Sequence, residues 1–413
     1  MPGKLEGNRR MAIVEMATVR PLPMIVPSPD SAMQCRRPSG VCRAVVLLLL
    51  ASLFLLADCA AEITRCNAAE TDADSSSQSQ KALQAAQQLR AHAFESLFEG
   101  RFDEARDFFS KCVGQLEANL AADDWNLKIA RLDLAAFVRL SELNEEHAAS
   151  ALDALKTFRL AAQQMDAGRP KSAVSNFHAA ISQWKQSVGD GNIVLCRMLE
   201  ASSQCQSTMK NYLAAAELLH EDLEIQQALV GVDNGYYAQT LNALAVAEME
   251  IGKFAEAEVR LKAAHKVCAN VLGTNSDGAI NSTLILAQLF IMKGEPKLAE
   301  PFALDAVETS SRGRPANAVI VIHSKYVLAK CFAKQRQLRR AETIFKELIP
   351  NLADQKCGVN AQTAADIAEG YAALLWSFEQ SDDAIQFSAW GRALRARGCG
   401  VPMPKVPTPT VPQ

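Results

Sequence analysis

From about Lys81 to Arg397 the apolar residues recur at helical spacing. Leu83, Leu89, Ala93, Leu97 and Phe98 share one face of a helix that ends at Gly100. A second apolar face runs from Phe102 through Phe108, Phe109 and Val113 to about Leu120. The pattern predicts two helices joined by a tight turn at Gly100. That turn is repeated along the chain. Gly100-Arg101-Phe102-Asp103-Glu104-Ala105 is followed by Gly168-Arg169-Pro170-Lys171-Ser172-Ala173 and Lys210-Asn211-Tyr212-Leu213-Ala214-Ala215. Gly252-Lys253-Phe254-Ala255-Glu256-Ala257, Gly294-Glu295-Pro296-Lys297-Leu298-Ala299 and Arg336-Gln337-Leu338-Arg339-Arg340-Ala341 come next, and a weaker copy ends at Ala384. In the fullest copy Gly252 permits the backbone turn that ends a helix. Phe254 anchors the next helix, and the small Ala257 lets a neighbouring helix come close.

The spacing carries more than any one copy. Ala173, Ala215, Ala257, Ala299 and Ala341 are each 42 residues apart, and Ala384 is 43 further on. Such a period means stacked helix pairs in place of one globular core. Polar clusters at Gly189-Asp190-Gly191-Asn192, Gly231-Val232-Asp233-Asn234 and Gly273-Thr274-Asn275-Ser276-Asp277 separate the pairs. The step from Ala105 to Ala173 is 68 residues, and it holds an additional helix near 124–143 with Ile129, Leu132, Leu134, Phe137 and Leu140. The expected layout is a first helix pair at 82–121, an additional helix within 122–145, and a repeat array over 146–397.

The flanks read differently. Residues 1–43 are basic and proline-bearing, without a helical or strand period. Ala44 to Ala57 is then apolar apart from Ser52. Fourteen residues are short for a membrane span, which takes about 20, and fit the apolar core of an export signal. The signal region is set at 1–61, with translation starting at Met33 or Met24, because the full leader is long for a signal. Small residues at Cys59 and Ala61 allow cleavage after Ala61, and Cys59 itself offers a minor lipidation reading that Asp58 disfavours. Residues 62–81, acidic and serine-rich, read as a disordered spacer. Residues 398–413 carry a proline every few positions and read as an unpacked tail. These features predict an exported protein, periplasmic or secreted, or else one anchored through residues 44–57.

The repeated unit resembles the tetratricopeptide repeat, and its 42-residue step resembles the kinesin-light-chain type. Twelve residues before the anchor alanines stand Ala93, Ala161, Ser203, Ala245, Ala287, Ala329 and Ala372, all small. Four residues after them stand Phe109, Phe177, Leu219, Leu261, Ala303 and Phe345. Seven after stand Cys112, Ala180, Asp222, Ala264, Ala306 and Leu348, where Asp222 departs from the pattern. The resemblance covers about residues 82–397. It implies an all-α, right-handed superhelical solenoid of antiparallel helix pairs. It further implies a non-enzymatic scaffold that holds a peptide or partner protein on its concave face, lined by the first helix of each pair. The facing positions are then Arg197, Glu200 and Gln204; Gln239, Asn242 and Val246; Asn281, Leu284 and Gln288; and His323, Tyr326, Lys330 and Lys334. Of these, Asn242, Asn281, Gln288, Tyr326, Lys330 and Lys334 are the candidate partner-binding residues. Asparagine offers paired donor and acceptor to a peptide backbone, and lysine a point charge to a carboxylate. The likeness to the carboxylate clamp of chaperone-binding members is loose, since the full clamp set is absent. The bland reading of these positions is a solvated helix face.

Composition adds limits. The formal net charge is −3 and the pI about 6.1, which gives no pull toward nucleic acid or anionic lipid. A membrane enters only through an uncleaved or lipidated N-terminus. The metalloprotease, phosphate-loop, dinucleotide and serine-hydrolase signatures do not occur. The six histidines are spread singly along the helices of the repeat region. No catalytic residue, metal site or cofactor is therefore expected. Among the eleven cysteines, those in the helices read as small packing groups. Cys357 and Cys399 flank the last helix pair and form a candidate disulfide in an oxidising compartment. Two other functions compete with the scaffold reading: a structural or oligomerising subunit using edge surfaces, and an enzyme accessory.

Overall fold

The structure, a computed structural model, describes residues 73–314, 318–353, 358–397 and 401–406. All of them belong to the unit Val45–Gln413. The described residues form fifteen α-helices and no strand. A first pair, α1 (Ala73–Phe98) and α2 (Phe102–Glu117), is followed by a single helix, α3 (Trp125–Ser141). Six further pairs come next: α4 (Glu145–Asp166) with α5 (Pro170–Ser187), α6 (Ile193–Thr208) with α7 (Tyr212–Leu229), and α8 (Gly235–Glu250) with α9 (Phe254–Leu272). The last three are α10 (Asp277–Met292) with α11 (Pro296–Ser311), α12 (Val319–Lys334) with α13 (Leu338–Ala353), and α14 (Ala361–Ser377) with α15 (Ser381–Arg397).

Two local devices set the period. Within each pair the first helix ends on a residue in the left-handed region. At Gly252 φ is +82°, and the N–H of Lys253 closes back on the carbonyl of Glu248 at 2.8 Å. This six-to-one bond satisfies a carbonyl that the helix end would leave open. Between pairs, the incoming helix is capped by a short polar side chain, except at α12, where Ala318 provides none. Asn192, Asn234, Ser276 and Asn360 accept from the backbone N–H of Leu195, Tyr237, Ala279 and Thr363. Such a cap contributes about 1 kcal/mol.

The anchor alanines do what their size permits. Ala105, Ala173, Ala215, Ala257, Ala299, Ala341 and Ala384 are all completely buried. Their small partners twelve residues earlier are buried too, so each pair crosses closely there. Phe109, Phe177, Leu219, Leu261 and Phe345 fill the grooves beside them. Asp222 occupies one such core position and is also fully buried.

The single helix α3 joins the first pair to the array. Its Leu127 and Ala130 pack with Leu83 and Ala86 of α1 and with Leu116 of α2. Asp133, buried, lies between two arginines: Arg90 Nε of α1 at 2.7 Å and Arg197 Nη1 of α6 at 2.5 Å. At its start Trp125 packs against the α8–α9 pair.

Two boundaries differ from expectation. Helix α1 begins at Ala73, inside the stretch read as a spacer. No glycine or proline interrupts residues 73–98, so a helix nucleated by the packed face from Ala82 extends backwards. The tail is not unpacked over its first part. Val401, Met403 and Val406 pack against the core, and Trp390 Nε1 donates to the Val401 carbonyl at 3.2 Å. Proline removes donors and helix propensity, yet leaves an irregular segment free to lie on an apolar end. The signal region and the Cys357–Cys399 pair lie outside the described residues. Among those described, no helix is long and apolar enough to cross a membrane.

Candidate functional site

Successive first helices present the same register to one surface. Relative to the small residue of each first helix, the positions six and three before it and one after it point inward. On α10 these are Asn281, Leu284 and Gln288; on α12, His323, Tyr326 and Lys330; on α14, Asp366, Glu369 and Ala373. All but Ala373 line one open cleft of about 530 Å³, with Ile285, Val327, Thr363 and Gly370 completing it.

The floor of the cleft is a set of linked contacts. The Tyr326 hydroxyl donates to the Asp366 carbonyl at 3.0 Å. Its ring meets Phe345 edge-on at 6.3 Å, and Phe345 in turn packs on Tyr371. Gly370 allows this fit, because a β-carbon there would stand 3.2–3.3 Å from the Phe345 and Tyr326 rings. Lys330 lies over the Tyr326 ring at 5.4 Å. Burial pulls the Lys330 ammonium below the usual lysine range, with Asp366 opposing and Lys334 adding to the shift. Burial likewise lowers His323. On the far wall Arg395 of α15 holds both carboxylates, Glu369 at 2.7 Å and Asp366 at 3.0 Å. The α12 wall is thus basic and the α14 wall acidic, with the amides of Asn281 and Gln288 beyond the basic one.

The six candidate residues separate into three groups. Asn281, Gln288, Tyr326 and Lys330 come together in the cleft. Lys334 is exposed one turn beyond Lys330, outside the lining. Asn242 on α8 does not line the cleft: it is 4% exposed, and its Oδ1 has no hydrogen-bond partner among the described residues. Asp366 and Glu369 were not among the sequence candidates, although they stand 43 residues beyond His323 and Tyr326.

The inner face is not open along its whole length. At the same registers, Gln87 and Arg90 of α1, Arg197 of α6 and Gln239 of α8 line a small cavity together with Trp125, Asn126, Ile129 and Ala130 of α3. The single helix therefore lies across the inner positions at this end. Arg197 and Gln239, expected to face a partner, face α3.

A model of the tetratricopeptide repeat matches residues 236–311, which span α8 to α11. The chain carries tetratricopeptide repeats there, and the pairs on either side keep the same anchors. No protein of curated function matches the sequence. Among solved structures, the kinesin-light-chain TPR-like repeats of Podosopora anserina are 17% identical, with a TM-score of 0.42, covering 48% of this chain and 93% of that one. Aspartyl phosphate phosphatase F from Bacillus subtilis is 11% identical at a TM-score of 0.47, covering 78% and 97%. NprR in complex with its cognate peptide NprX is 13% identical at a TM-score of 0.46, covering 77% and 89%.

Proposed function

We propose that this chain is a non-enzymatic scaffold that holds an extended peptide segment of a partner protein in the cleft between α10, α12 and α14. The observation that carries this reading is the convergence of three first helices, at one register, on a single open cleft with unpaired side-chain amides. Neither Asn281 nor Gln288 has a side-chain hydrogen bond within the described chain. Such groups are suited to pairing with the alternating N–H and C=O of an extended backbone. Lys330 offers a charge to a carboxylate on one side, and Asp366 and Glu369, already paired with Arg395, give the other side a polar wall. Two interhelix spacings of about 10 Å correspond to roughly six extended residues. Because α3 covers the inner positions of α6, the free length of groove is this C-terminal part.

The apolar run at Ala44–Ala57 supports a place outside the cytoplasm, and the proposal includes it. The test is affinity purification from the exported fraction with wild type, with Asn281→Ala/Lys330→Glu and with an exposed control, Lys171→Glu. The expected result is a partner retained by wild type and control and lost by the double variant at unchanged melting temperature. A partner retained equally by all three would place binding elsewhere.

A further inference from the structure

The small cavity under α3 plays no part in the groove. It measures about 50 Å³, room for three or four water-sized groups. Five helices wall it, α2 through Cys112 and Leu116, with Gln87 and Arg90 of α1, Asn126 of α3, Arg197 of α6, and Tyr236 and Gln239 of α8 as its polar groups. Two of these carry a buried atom with no hydrogen-bond partner among the described residues: Arg197 Nη2 and Tyr236 Oη. Both residues are more than nine-tenths buried. A donor buried without an acceptor is costly, the more so when it is charged.

Charge points the same way. Arg90 and Arg197 share a single carboxylate, Asp133, and no acid lines the cavity. Two acids, Glu200 and Asp222, act on Tyr236 from nearby. Burial raises Glu200 to about 8 and Asp222 to about 7, so near neutral pH they are largely or half protonated. Water would give the two donors an acceptor and leave the excess positive charge unmatched.

We propose that this cavity binds a small free carboxylate, of the size of formate or acetate, through Arg197 Nη2 and the Tyr236 hydroxyl. The anion then joins α6 to α8 beneath the helix that crosses them. It is separate from the peptide cleft in residues and in chemistry.

The experiment uses the full chain. Thermal unfolding and titration calorimetry are run at pH 7 with sodium acetate or sodium formate against sodium chloride at equal ionic strength. The expected result is a saturable rise in melting temperature with the carboxylates and none with chloride. Tyr236→Phe removes only an unpartnered hydroxyl and should weaken acetate binding about tenfold. Asn126→Leu fills the cavity from α3 and should abolish the effect, whereas the exposed control Lys171→Glu should respond as wild type. The proposal is overturned by a rise that chloride reproduces, by no saturable rise, or by Tyr236→Phe binding acetate as tightly as wild type.

Discussion

The seven turns inside the helix pairs each hold one residue in the left-handed region, and four of these seven residues are glycine. Gly100, Gly168, Gly252 and Gly294 have φ between +69° and +82°. Lys210, Arg336 and Glu379 occupy the same place in their repeats at +61° to +63°. A side chain there costs roughly 1–2 kcal/mol, part of which glycine forfeits through its freer unfolded chain. Lys210→Gly and Arg336→Gly should therefore each stabilise the fold by about 0.5 kcal/mol in urea unfolding. A loss of stability would mean that the side chains make contacts worth more than the strain. Asp222 is the other exception to the repeat. It replaces a small or apolar residue, and the Thr240 hydroxyl is its donor at 3.5 Å. Burial raises its carboxyl to about 7, so the folded chain binds a proton there that the unfolded chain releases near pH 4. Its contribution to stability is accordingly lost as pH rises between about 4 and 7, at up to about 1.4 kcal/mol per pH unit. Asp222→Asn should lose less stability than wild type over that range in denaturation series. The sequence marked Asp222 as a break in the pattern, but pattern alone does not show whether an odd residue is expelled or enclosed.

Helix α3 illustrates what an element can and cannot reveal about itself. Its apolar spacing predicted a helix, and the long gap between Ala105 and Ala173 predicted an insertion. Its destination was not legible, because a helix without a repeat partner has no register to inherit. The ion pairs at Asp133 fix that destination across distant helices. Asp133→Ala leaves Arg90 and Arg197 without their carboxylate and should cost about 3–5 kcal/mol in equilibrium unfolding. Arg131→Ala, which removes the exposed pair with Glu117, should cost less than about 1 kcal/mol. Equal costs would show that α3 is held by its apolar face alone. Helix α14 gives the converse case. Asp366 and Glu369 were within reach of the spacing that indicated His323 and Tyr326. The step lengthens from 42 to 43 just there, so the last copy looked too irregular to extend.

At the scale of the molecule the repeats make a linear stack whose pairs mainly pack on their neighbours. The alanine period made that architecture readable, since close crossing needs a small residue at a fixed place in every pair. How the stack ends was not readable, because the end does not repeat. An aromatic row through Tyr326, Phe345, Tyr371, Phe387 and Trp390 runs to the last helix. There Val401, Met403 and Val406 cover it, leaving Trp390 3% exposed. Truncation after Arg397 should shift Trp390 emission to longer wavelength and lower the melting temperature. An unchanged spectrum would show that the tail leaves the indole as it was.

That covering segment also bears on self-association. A linear array with a bare terminal face invites the leading face of another molecule, and head-to-tail addition of that kind has no natural limit. Residues 401–406 pack against that end and would oppose such addition. Without them the same coils would be free to grow into a fibre, whose length would then rise with protein concentration.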